Sequence, residues 1–146
     1  MEECSEKLIQ TEKKGWDAMD LKSYFDETEG TGILATADST GKVDAAVYSR
    51  PNVMEDGQIV FIMADRLTHQ NLQSNPYAVF LFMEAGQLWK GKRLYLLKTK
   101  EESDPDKVET LMRRKHPQDV EKYKNLNKFL VYFMLEQERP LVGEIG

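Results

Sequence analysis

Cysteine is almost missing from this chain. Cys4 is the only one in 146 residues, which excludes an intrachain disulfide and any multi-cysteine metal centre. A lone thiol so near the N-terminus reads as incidental, since reactive thiols need an electropositive setting. Histidine is scarce as well, with His69 and His116 alone, and no carboxylates cluster beside either in a ligand pattern, so no metal site is expected. No apolar run approaches the roughly 20 residues of a membrane span, and the opening Met-Glu-Glu-Cys is followed by no apolar leader. The expectation is a cytoplasmic protein that uses no membrane. Positive charge is in deficit too: 20 Lys and Arg against 25 Asp and Glu give a net charge of −5, which argues against nucleic acid as the main partner. Motifs for a nucleophile elbow, a zinc protease, a Walker loop or a dinucleotide-binding glycine turn are all absent, and no residue is assigned as catalytic.

What is present is the composition of one globular domain, with 40% apolar and 31% charged residues. A chain of this length buries about two-thirds of its unfolded surface. Residues 1–15 read as a tail or a peripheral helix. Asp20 caps a helix carrying Leu21, Tyr24, Phe25 and Thr28, and Gly30 and Gly32 end it. The period then changes to that of strands: Ile33 to Ala37, Val43 to Arg50 and Ile59 to Met63, with turns at Asp38–Gly41 and Met54–Gly57. A helix from Leu67 to Ser74 interrupts the series and Asn75-Pro76 stops it. Tyr77 to Met83 and Leu94 to Lys100 are further strands around a turn at Ala85-Gly86-Gln87. Ser103, Asp104 and Pro105 start a helix with a stripe of Val108, Leu111 and Met112. A short helix through Val120 and Tyr123, a last strand from Phe129 to Leu135 and a mixed tail complete the chain. Six strands with one helix midway and more helix near the end predict a mainly β, or α+β, antiparallel barrel with helices at its rim.

Three segments carry candidate chemistry. Gln58 to Pro76 is a buried strand emptying into a helix start, where free N–H groups and the helix dipole favour an anion. Arg66, Thr68 and His69 lie in that first turn, and several donors converging on one group suit a phosphate. The plain alternative is a solvated helix start capped by Asp65. Ser49-Arg50-Pro51 closes the second strand, where Arg50 and Arg66 could approach one ligand from two elements. Trp89-Lys90-Gly91-Lys92 adds an aromatic plane and two cations, suited to a flat phosphorylated cofactor. His116, before Pro117, reads as an ordinary helix-end residue.

Taken in order, GILATAD at 32–38, VYSRP at 47–51, IVFIMADRLTHQNLQSNP at 59–76, YAVFLFME at 77–84 and GKRLYLLKTKEESD at 91–104 resemble the FMN-binding split barrels of the pyridoxamine 5′-phosphate oxidase-like family. The resemblance implies a six-stranded antiparallel split barrel, a homodimer, and FMN in a groove between the subunits. Ring contacts would come from Tyr48, Ser49, Arg50, Pro51, Ile62, Met63 and Ala64, and phosphate contacts from Arg66, Thr68 and His69. Trp89, Lys90 and Gly91 would reach the flavin of the opposite subunit. Where the family often has Ser-Arg-Lys, this chain has Arg66-Leu67-Thr68, so cation and hydroxyl have exchanged places. The Arg- and Trp-rich C-terminal segment of true pyridoxamine 5′-phosphate oxidases has no counterpart here, which excludes that reaction from the expectation. What remains is an FMN-dependent oxidoreductase acting on a small molecule, with NAD(P)H a possible electron donor. A non-catalytic FMN protein for electron transfer, storage or stress sensing is the alternative, and haem or a deazaflavin on the same scaffold is a third reading, for which His69 or His116 would be the axial ligand.

Overall fold

The computed structural model describes residues 20–112 and 128–143. Helical residues 20–27 (α1) lead into strand β1 (Gly30–Ala37), followed by β2 (Val43–Tyr48), β3 (Asn52–Val53) and β4 (Ile59–Ala64). Helix α2 (Leu67–Ser74), β5 (Tyr77–Glu84), β6 (Gly91–Glu102), α3 (Pro105–Leu111) and β7 (Lys128–Pro140) complete the order. The seven strands form one antiparallel sheet in the order β2-β1-β5-β6-β7-β4-β3, curled into a split barrel. The seventh strand relative to the expected six is β3, two residues long and too short to show an alternation.

The apolar runs read from the sequence form these strands, and within them alternate residues turn inward. Leu34, Phe80, Phe82, Leu94, Leu96, Phe61, Met63 and Phe133 point to one side and are almost fully buried there with Phe25 and Leu21 of α1. Their rings interlock edge to face: Phe61 with Phe80 at 4.9 Å and Phe133 at 5.8 Å, Phe25 with Phe82 at 5.3 Å. On the reverse side of β4 and β7, Val60, Leu130 and Tyr132 pack with Val108 of α3, the helix whose Asp104 side chain accepts from the amides of Asp106 and Lys107, as expected of an N-cap.

Several boundaries differ from the sequence reading. Gly30 and Gly32 do not end α1; they begin β1, because a Cβ at Gly32 would strike the Phe80 ring and the Tyr48 carbonyl, so the aromatic core itself demands glycine. Strand β2 stops at Tyr48, leaving Ser49, Arg50 and Pro51 irregular. Strands β6 and β7 run longer than expected, so Gly91–Arg93 and residues to Pro140 are paired in the sheet. The expected tail or helix of residues 1–15, the helix through Val120 and Tyr123, His116 and Cys4 lie outside the described residues. Among the described residues no helix is long and apolar enough to cross a membrane.

Among the described residues, no helix covers one face of β2, β1 and β5. The registers align Val47, Ile33 and Leu81 in one row across β2, β1 and β5, and Ala45, Ala35, Val79 and Tyr95 in the next. Val43, Val47 and Tyr77 on this side are 78%, 75% and 60% exposed.

Candidate functional site

The end of β2, the end of β4 and the start of α2 meet because Tyr48 packs its ring on Phe61, 6.0 Å between centroids and nearly perpendicular. Burial pushes the Tyr48 phenol up, while the Thr68 side chain and the Arg66 charge beside it pull the other way and Asp44 adds to the rise. The phenol therefore stays a neutral hydrogen-bonding group. Three of the residues chosen from the sequence, Tyr48, Arg66 and Thr68, are thus brought together, Thr68 buried and Arg66 exposed.

The start of α2 lacks the cap expected of Asp65. The N-cap residue is Arg66, which makes no side-chain capping bond, and the helix's first internal bond runs from the Gln70 amide to the Arg66 carbonyl. The opening amides of the helix thus have no side-chain acceptor from the cap, and the first turn holds no acidic residue. The Asp65 carboxylate instead meets His69 Nδ1 at 2.9 Å. Strand β4 contributes an open edge. It pairs with β7 along its length but with β3 only at Val60 and Ile59, so among the described residues the side from Phe61 to Ala64 has no second strand partner. The Met63 side chain is fully buried in the core and Ile62 packs towards α3, so a ligand at this edge meets backbone more than side chain.

Other expected residues stand elsewhere. Arg50 Nη1 donates to the Phe25 and Thr28 carbonyls at 2.8 and 2.9 Å, fastening the end of α1, so that nitrogen serves the helix and not a ligand shared with Arg66. Ser49 is exposed and Pro51 buried. His69 is 5% exposed, stacked on Phe129 at 4.1 Å, with both ring nitrogens facing carboxylates, which leaves neither aimed at the Tyr48 cluster. Trp89 lies in the β5–β6 turn, 69% exposed and with a left-handed φ of 59°, beside an equally solvent-facing Leu88. Lys90 approaches Glu84 at 3.9 Å, Lys92 pairs with Glu138 at 2.6 Å, and Gly91 lies against the Phe82 backbone.

Sequence reasoning missed the polar frame beneath the site. Asn71 Nδ2 donates to Thr36 Oγ1 at 3.1 Å and ties α2 to β1. Glu101 and Gln73 contact His69, with Lys98 held on the same Glu101, and the sequence signal for this is the four-residue spacing of Asp65, His69 and Gln73 into and along α2. Among the described residues no group of three or more His, Cys, Asp or Glu could hold a metal.

No family model matches the chain, and no curated protein does. Solved structures do. An FMN-binding protein from Syntrophomonas wolfei subsp. wolfei superposes with a TM-score of 0.68 at 18% identity, covering 99% of this chain and 100% of its own. The haem-storage protein HutZ from Vibrio cholerae gives 0.58 at 20% identity over 83% of this chain and 92% of its own. An F420 reductase gives 0.53 at 13% identity, covering 77% and 91%. The chain has the split-barrel fold of the pyridoxamine 5′-phosphate oxidase-like proteins.

Proposed function

We propose that the chain binds FMN, with the phosphate at the start of α2 and the isoalloxazine ring along the open edge of β4, and that it does so as a homodimer. The observation that carries the reading is the meeting of Tyr48, Thr68 and Arg66 at a helix start with no capping side chain. A phosphate monoester there receives a guanidinium, two hydroxyls and unsatisfied amides at once. The FMN-binding neighbour of the same fold supports the choice of a flavin. Haem is less well served, since His69, the one histidine among the described residues, has both nitrogens turned to carboxylates.

When bound, FMN supplies the redox chemistry; the chain supplies position and charge. Arg66 and Thr68 fix the phosphate end, the β4 edge offers amides and carbonyls to the ring, and Trp89 at its exposed turn is available to a second subunit's site. The uncovered rows of Val47, Ile33 and Leu81 are the surface on which that second copy sits, an isologous contact. The protein is an oxidoreductase for a small molecule reduced or oxidised at the exposed ring face.

The visible spectrum of the purified protein tests the cofactor. Two flavin bands support the reading, and an intense Soret-type band overturns it. Arg66→Ala should weaken FMN binding by about tenfold or more, the scale of one charged hydrogen bond, and leave riboflavin binding unchanged. Equal FMN affinity in the variant would remove Arg66 from the site. Reduction of the bound flavin by NADH or NADPH tests the oxidoreductase; tight FMN binding with no such reduction would point to a carrier or sensor instead.

A further inference from the structure

His69 has more partners than a neutral imidazole can satisfy. Its Nδ1 lies 2.9 Å from Asp65 Oδ1 and its Nε2 lies 3.0 Å from Glu101 Oε2. The Gln73 amide nitrogen is also near Nε2, at 3.1 Å, but its two hydrogens are taken by the His69 carbonyl and Glu101 Oε1, each at 3.0 Å. Neither carboxylate can donate when ionised. A neutral ring has one N–H and one lone pair, so one of the two contacts would set a lone pair against a carboxylate; only the imidazolium, with two N–H groups, satisfies both. Both contacts of the ring, one to Asp65 at the head of α2 and one to Glu101 of β6, are therefore hydrogen bonds only when the ring carries two protons.

We propose that His69 is a proton-dependent positioning residue: doubly protonated, it clamps Asp65, just ahead of α2, to Glu101 of β6, and so holds Thr68 and Arg66 in the geometry that receives the phosphate. The inference rests on the phosphate reading only in its last step. The ring is placed for this task, 5% exposed and stacked flat on Phe129 at 4.1 Å with 12° between planes, so it cannot turn to other partners without leaving its slot. The charges around it come from Asp65 before α2 and from Glu101 of β6, with Lys98 of β6 held on the same Glu101 carboxylate, while β7 presents the apolar Phe129. Lys98 is held by Glu101 Oε1 at 2.7 Å and also reaches the Leu72 carbonyl of α2 at 3.3 Å, so it reinforces the same join. Glu101 remains a carboxylate through the working range: burial pushes it up, but the bonds from Gln73, Lys98 and His69 outweigh that and hold it down at about 2. Asp65, 58% exposed, is the weaker end.

The test separates the clamp from the cofactor. In flavin-free protein, nitrogen NMR of the His69 side chain and exchange of the Gln70 and Asn71 amides are followed at pH 5.5 and 8.5: two protonated ring nitrogens should accompany protected amides at pH 5.5, and protection should fall wherever one ring nitrogen is bare. One bare nitrogen at pH 5.5, or protection that ignores the ring's titration, overturns the proposal. FMN affinity is then measured for the native chain and His69→Gln at both pH values. The ratio of native to variant cancels the titration of the phosphate itself. That ratio should be about tenfold at pH 5.5 and approach one at pH 8.5. A ratio that does not move with pH shows a merely structural histidine. If the native chain binds no FMN at all, the phosphate reading fails while the NMR and exchange arms still decide the clamp.

Discussion

Thr68 occupies a demanding place for a small residue. It is 3% exposed, and its hydroxyl lies beside the half-buried Tyr48 phenol at the mouth of the proposed phosphate site. Thr68→Val keeps the shape and deletes the hydroxyl, leaving the phenol short of a partner. The expected cost is about 1 kcal/mol in urea-measured stability, with a loss of FMN affinity smaller than that of Arg66→Ala because a neutral bond and not a charge is removed. Gly91 is constrained differently. A Cβ there would fall on the Phe82 carbonyl, and a backbone atom held in the β5–β6 ladder cannot step aside as a side chain can. Gly91→Ala should lower stability by about 1–3 kcal/mol. Gly143→Ala, with nothing within 4 Å of the added methyl, should stay within about 0.5 kcal/mol and serves as its control.

Strands made of apolar runs were legible in the sequence, and their polar or glycine ends were not. β4 and β5 read correctly because buried Phe61, Met63, Phe80 and Phe82 mark the inward period. The starts of β1 and β6 were missed because glycine, taken as a helix stop at Gly30 and Gly32 and as part of a loop at Gly91, stands here where aromatic rings or a neighbouring backbone come too close for a side chain. Arg66 and Thr68 could be picked from the sequence as candidates for a phosphate turn, but their meeting with Tyr48 depends on the packing of Tyr48 against Phe61, a contact between two elements that no single segment encodes. Arg50 was equally opaque, since its acceptors are carbonyls 22 and 25 residues earlier. The α2–β6 join also makes a prediction of its own. Glu101 is held at about 2 in the folded chain against an ordinary value of 4.5, so its contribution to stability is complete above about pH 4.5 and disappears as pH falls towards 2. Acid unfolding followed by circular dichroism should show Glu101→Gln losing less stability than the native chain across that window, while being the less stable of the two at pH 7.

Among the described residues, β2, β1 and β5 carry the core on one side and an apolar surface on the other. That asymmetry needs an explanation, because a covered sheet face and an exposed one ordinarily differ in polarity. Here the exposed rows read Val47, Ile33, Leu81 and Ala45, Ala35, Val79, Tyr95, with Arg93 facing Arg139 only at the β6–β7 end. A patch of this kind marks an association surface. Val47 is the place to test it, because at 75% exposure it contributes little to the chain's own packing, and a charge there should leave the fold intact. On the proposed homodimer, Val47→Asp should halve the mass measured by sedimentation while the circular dichroism stays native. If FMN lies between two subunits, with Trp89 of one over the ring held by the other, the same variant should lose FMN even though Tyr48, Arg66 and Thr68 are untouched. A monomeric variant that still binds FMN as tightly as the native chain would place the whole site within one subunit, and an unchanged dimer would move the interface off this face.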